Sequence, residues 1–190
     1  MIRIGILGDI GAGKSFIAKK FSYPVFNADE EVNKLYKTDR KIYHKLKKTL
    51  PNYINTFPIK KSEIIEAILA NKTNLNKIIK IIHFEIRKKL NFFIKKNKKK
   101  KIIVLDIPLL LENKINKKND KLIFIEATKI NIQKKLKKRK NFNQKIYFKF
   151  KAIQLPLDFK KRKSHFVIKN NFKVKSVKKD INNIIKKILK

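Results

Sequence analysis

An apolar run, Ile2-Arg3-Ile4-Gly5-Ile6-Leu7, delivers the chain straight into Gly8-Asp9-Ile10-Gly11-Ala12-Gly13-Lys14-Ser15. Those eight residues have the spacing G-x-x-x-x-G-K-[ST], placed where a strand hands over to a helix. The chain has only 4 glycines, and all of them fall between residues 5 and 13. Glycine accepts the positive φ values that let successive N–H groups curl inward toward phosphate oxygens. Lys14 adds a point charge near the β and γ phosphates, and Ser15 offers a hydroxyl to Mg²⁺. The helix starting near Lys14 turns its positive end to the same place. The opening of the chain therefore predicts a strand–loop–helix unit that holds a nucleoside triphosphate.

The rest of the chain alternates in the way such a unit requires. Residues 2–7, 24–27, 101–106, 121–126 and 166–168 read as strands, and Ile102-Ile103-Val104-Leu105 is apolar enough for a strand covered on both faces. Helices are expected over 14–21, 29–37, 40–49, 62–70 (capped by Ser62), from Thr73 or Asn74 to about Asn97, over 129–140, and at the C-terminus. Strands separated by helices predict an α/β fold with a parallel sheet and helices on both faces. Cysteine is absent and the 3 histidines are far apart, which excludes a disulfide framework and a thiolate or His-rich zinc site. No apolar run reaches the ~20 residues of a membrane span, so a soluble, cytoplasmic protein is expected.

Charge is a weaker guide. Lys and Arg number 51 against 14 Asp and Glu, a formal net charge of +37. Such an excess ordinarily points to nucleic acid. Here it is spread over the whole length and accompanies heavy use of Asn and Ile. Codon bias is a sufficient cause, and a polyanionic partner is the alternative.

In an open parallel sheet, ligands gather at the C-terminal strand ends. Those ends carry the phosphate loop, Asp29 after the second strand and Asp106 closing the third. A loop that holds a phosphoryl donor, a Mg²⁺ and a carboxylate able to take a hydroxyl proton make up the equipment of phosphoryl transfer. Taken singly, Asp29 also reads as a helix cap and Asp106 as a strand-closing residue.

Further blocks follow in order: Asn27-Ala28-Asp29, His83-Phe84-Glu85-Ile86-Arg87, Asp106-Ile107-Pro108-Leu109-Leu110-Leu111-Glu112, Lys135 with Arg139, Gln154, and Val167-Ile168-Lys169-Asn170. Together with the loop, this ordered set resembles the dephospho-CoA kinases over nearly the whole chain. The resemblance implies a P-loop NTPase-type fold: a core of 1–28, 101–139 and 164–190, a helical CoA-side insertion at 29–100, and a mobile lid at 140–163, all in one kinase domain. It implies transfer from ATP, with Mg²⁺, to the ribose 3′-hydroxyl of dephospho-CoA. Gly11, Ala12, Gly13, Lys14, Ser15 and Phe16 would form the phosphate site, and Asn170 would lie near the adenine. Asp29 would be the general base, with Lys14 and Arg139 acting on the transferring group. His83 and Arg87 would bind substrate or support it, and Ser15 and Asp106 would serve the metal. A monomer or small homo-oligomer is expected, with no membrane and no specific nucleic-acid partner.

A lid also follows from chemistry, since the transferring phosphoryl group must be kept from water. Residues 139–163 are basic with interleaved Phe142, Tyr147, Phe148, Phe150 and Phe159, which suits two polyanionic substrates. The chain departs from the family pattern at Asp9, Phe16, Asn27, Asn33, Phe84, Lys135 and His165. Asp9 sets a negative charge in the phosphate loop and is expected to weaken ATP binding if it faces inward. The alternatives are another P-loop small-molecule or nucleotide kinase, and a basic NTP-dependent nucleic-acid-binding protein.

Overall fold

The structure, a computed structural model, describes residues 1–139 and 142–190. Five strands form one all-parallel sheet: β1 (Ile2–Gly8), β2 (Val25–Asn27), β3 (Ile102–Asp106), β4 (Lys121–Glu126) and β5 (Phe166–Lys169), in the order β2-β3-β1-β4-β5. The chain divides into two compact units, residues 1–27 with 97–190, and residues 28–96.

The first unit contains the sheet. Alternation along each strand sorts its side chains onto two faces. One face brings Ile4, Ile6, Ile102, Val104, Ile123, Ile125 and Ile168 against Ile17 and Ala18 of α1 (Lys14–Lys20) and its C-cap Phe21, Ile132 and Leu136 of α6 (Lys129–Lys137), and Val177, Ile181 and Ile184 of α9 (Val174–Leu189). The other face carries Gly5, whose missing side chain is required: a Cβ there would come within 2.6 Å of Leu110 and 2.9 Å of Leu122. α7 (Gln144–Ala152) and α8 (Leu157–Arg162) fill the segment expected to be the lid, and α8 packs against β1. The expected start of that lid, 140–141, lies outside the described residues, as does the end expected for the 129–140 helix, which closes with Lys138 as its C-cap.

The second unit is helical: α2 (Ala28–Thr38), α3 (Arg40–Thr49), α4 (Lys61–Ala70) and α5 (Lys72–Lys96). Leu75, Ile78, Ile82, Ile86 and Leu90 repeat at helical spacing along α5 and are buried, which is why the other three helices pack on it. Two expected caps are corrected. Ser62 lies inside α4, whose N-cap is Lys60; Glu63 instead accepts the Lys60 N–H at 3.0 Å and satisfies that end. Helix α5 begins before Thr73, because Asn71 Oδ1 accepts the Thr73 N–H at 3.0 Å. Among the described residues no helix is long and apolar enough to cross a membrane.

Candidate active site

The phosphate loop leaves β1 at Gly8 and enters α1 through Gly13, with φ of +144° at Gly8, +87° at Gly11 and +90° at Gly13. Gly13 is the N-cap of α1 in the left-handed region, a conformation that costs other residues roughly 1–2 kcal/mol. The fold adds a second constraint there, since a Cβ on Gly13 would lie 2.5 Å from Asn170 Nδ2. The loop is curled on itself, with the Ala12 N–H donating to the Asp9 carbonyl at 3.2 Å. Lys14 Nζ donates to that same carbonyl at 2.8 Å. Ser15 and Phe16 follow in the first turn of α1, both exposed, and Lys20 Nζ stands 5.3 Å from the Phe16 ring centroid.

Asn170 sits directly behind the loop. It is 3% exposed; its Nδ2 donates to the Ala12 carbonyl at 2.8 Å and its Oδ1 accepts the Phe172 N–H at 2.9 Å. Both ends of its amide are therefore engaged by protein, and its visible task is to clamp the loop. Lys135, standing where the family has an arginine, lies 5.2 Å from the centroid of the Phe172 ring.

Asp9 does not project freely toward the loop's mouth. Its Oδ1 accepts the Ile10 N–H at 2.7 Å and pairs with Lys151 of α7 at 2.5 Å. At the next strand end, Asn27 and Asp106 are register partners in β2 and β3, and Asn27 Nδ2 donates to Asp106 Oδ2 at 2.7 Å. Asp106 is 3% exposed. The asparagine at 27 therefore supplies a donor to a carboxylate where a second aspartate would have set two like charges side by side. Arg139 is exposed just beyond α6, and its N–H donates to the Leu136 carbonyl at 3.0 Å.

In the helical unit, Asp29 is the second residue of α2, two positions past Asn27, and shares the first turn with Glu30 and Glu31. It lies inside the helix rather than at its cap. His83 and Arg87 are one turn apart on α5. Burial, and then the charge of Arg87, hold the His83 imidazole below its usual range, so it is a neutral ring near neutral pH.

With this geometry in view, the comparisons are specific. Residues 2–176 match the family described as dephospho-CoA kinase. A dephospho-CoA kinase of a Wolbachia from Brugia malayi is 33% identical over 187 residues, covering 96% of this chain and 95% of that protein. The chain belongs to the dephospho-CoA kinase family. A crystal structure from Thermus thermophilus superposes with a TM-score of 0.79 at 19% identity, covering 100% of this chain and 98% of that one. The dephospho-CoA kinase of Campylobacter jejuni gives 0.63 at 20% identity, covering 98% and 96%. These two likenesses concern the fold, and they fit the P-loop kinase architecture of the sheet.

The residues that sequence reading passed over are lysines. Lys151 was one cation among many, and only the unbalanced Asp9 hinted at a partner. Lys160 is 1% exposed, an extreme burial for lysine, and pairs with Glu112 Oε1 at 2.6 Å; the same oxygen accepts the Leu155 N–H at 3.0 Å. Lys160 Nζ also donates to Gln154 Oε1 at 3.2 Å. Glu112 closes the Asp106–Glu112 block, so that block ties the base of the α7–α8 segment to the sheet unit. No hydrophobic or charge pattern marks a lysine destined for burial.

Proposed function

We propose that this chain transfers the γ-phosphoryl group of ATP to the ribose 3′-hydroxyl of dephospho-CoA, giving ADP and CoA. One observation carries the reading: a chain that belongs to this family over nearly its whole length keeps the G-x-x-x-x-G-K-[ST] spacing of the phosphate loop, with glycines at the positive φ positions and Lys14 beside them.

Donors for a divalent cation are few. Among the described residues no group of three or more His, Cys, Asp or Glu could hold a metal. An exposed Ser15 hydroxyl and the Asp106 carboxylate at neighbouring strand ends are oxygen donors, and this fits Mg²⁺, which keeps several waters and is held largely by the substrate's phosphates. When bound, Mg²⁺ neutralises charge on the transferring phosphates. The protein's own residues do the rest. The loop amides and Lys14 hold the triphosphate, with Lys14 leaving the Asp9 carbonyl to do so. Arg139 approaches the transferring group. Asp29 takes the proton of the 3′-hydroxyl as its oxygen attacks phosphorus, and His83 and Arg87 serve the acceptor side. Closure of α7 keeps water out; otherwise the enzyme would hydrolyse ATP.

The test gives purified protein ATP, Mg²⁺ and a panel of acceptors while ADP release is followed. Turnover with dephospho-CoA and not with nucleoside monophosphates supports the reading. Turnover with a nucleoside monophosphate in its place, or only with RNA present, refutes it. Asp29→Asn is expected to cut kcat by about 10²–10⁴-fold and leave ATP affinity within threefold. Full activity in that variant would move the base elsewhere.

A further inference from the structure

A loop that receives a triphosphate carries a carboxylate of its own. The Asp9 side chain is 14% exposed, so water screens it poorly, and its nearest cation comes from a distant part of the chain: Lys151 Nζ at 2.5 Å, on α7. The same residue's carbonyl holds Lys14 at 2.8 Å. Asp9 is thus the junction at which the loop lysine and the α7 lysine meet. Left bare, a carboxylate in this loop repels incoming phosphates, at a cost of about tenfold in affinity once salt screening is allowed for. Paired, it presents no net charge.

We propose that Lys151 is a positioning residue for the triphosphate: it cancels the charge of Asp9 and holds α7 against the phosphate loop, so that ATP affinity in this chain depends on the Asp9–Lys151 pair. The inference rests on the ATP-dependent reading given above. It gives an otherwise unfavourable loop residue a function, because Asp9 recruits the α7 segment to the rim where the nucleotide enters. The pair, whose lysine is 35% exposed, need contribute little to folding; the effect here falls on the ligand, which meets a neutral rim instead of an anionic one.

Four proteins test this: the parent, Lys151→Ala, Asp9→Asn (which keeps an acceptor for the Ile10 N–H), and the double variant. ATP binding is measured by calorimetry and turnover by ADP release. Lys151→Ala is expected to weaken ATP binding about tenfold, with a matching rise in KM for ATP. Lys151→Gln, similar in length and uncharged, gives the same shift and guards against a packing effect. The double variant is expected to bind ATP within about threefold of the parent, since no carboxylate remains to be cancelled. An unchanged ATP affinity in Lys151→Ala overturns the proposal. So does an equal loss in the Asp9→Asn background, which would mean that Lys151 touches phosphate directly and Asp9 is a bystander. A parent that binds no ATP overturns the proposed function itself, a separate result from either of these.

Discussion

Replacing Asn170 by alanine separates two readings of one residue. If its side chain clamps the phosphate loop, the damage exists before any ligand arrives. The variant loses the 2.8 Å bond to the Ala12 carbonyl and the 2.9 Å bond from the Phe172 N–H. Ala12 is fully buried, so its carbonyl is left with that donor removed, which costs about 1–3 kcal/mol; the partly buried Phe172 amide adds about 0.5–1.5. A total of about 2–4 kcal/mol lowers the melting temperature of a chain this size by about 5–12 °C. Urea unfolding of the unliganded protein checks the first figure and thermal melting the second. The loosened Gly13 flank is also expected to raise KM for ATP more than KM for dephospho-CoA. Had the amide instead read the adenine, as the family resemblance implied, Asn170→Ala would leave unliganded stability within about 0.5 kcal/mol of the parent, the range of ordinary surface substitutions, and would alter the preference for ATP over GTP. That pattern would refute the clamp.

Two further perturbations probe buried acids. Glu112→Ala strands the Lys160 ammonium, 1% exposed, without its carboxylate, and is expected to destabilise by about 3–5 kcal/mol in urea melts; adding Lys160→Met is expected to recover much of this, and a double variant as unstable as the single would disprove the pairing. Burial alone would raise the Glu63 carboxyl, but hydrogen bonds from Asn55, Lys60 and Thr56 outweigh it and hold it below its ordinary value. The unfolded chain therefore binds the proton first as pH falls, so stability from Glu63 is complete above about pH 4.3 and is lost through the lower folded value. Glu63→Gln is expected to trail the parent most at pH 7, with the gap closing below pH 4; a gap that widens in acid contradicts the sign.

Legibility in the sequence followed local determinism. The phosphate loop was readable because glycine spacing, a preceding apolar strand and Lys14-Ser15 act within a few residues of each other. β1, β3 and β4 were readable because Ile- and Leu-rich runs buried on both faces have few other fates. Helix starts were less readable. Ser62 and Thr73 carry capping hydroxyls, yet Glu63 and Asn71 took the task, since each of several polar side chains near a helix end can satisfy the same amides. Least legible were the ionic contacts between distant parts of the chain. Lys151 meets Asp9 across 142 positions, and nothing in a run of lysines tells which one will be buried or paired.

Those ionic contacts also bear on how the α7–α8 segment would open if it serves as the lid. Three of its lysines pair with acids elsewhere in the sheet unit: Lys160 with Glu112 and Lys161 with Glu126, both from α8, and Lys151 with Asp9, from α7. Lys160 on α8 is buried with Glu112, and separating them exposes a charge pair whose loss costs several kcal/mol. Lys151 on α7 is 35% exposed, and an exchangeable pair of that kind is worth roughly 1 kcal/mol or less. A lid opening would therefore break the Asp9–Lys151 pair and spare the Lys160–Glu112 pair. On that reading motion would be confined to α7, with the pivot between Ala152 and Leu157 and α8 kept packed on β1. Amide hydrogen exchange of the unliganded protein is expected to show α7 exchanging much faster than α8, with ATP slowing α7 and leaving α8 unchanged. Equal rates in the two helices would mean that the segment moves as one body and that the buried pair is not its anchor.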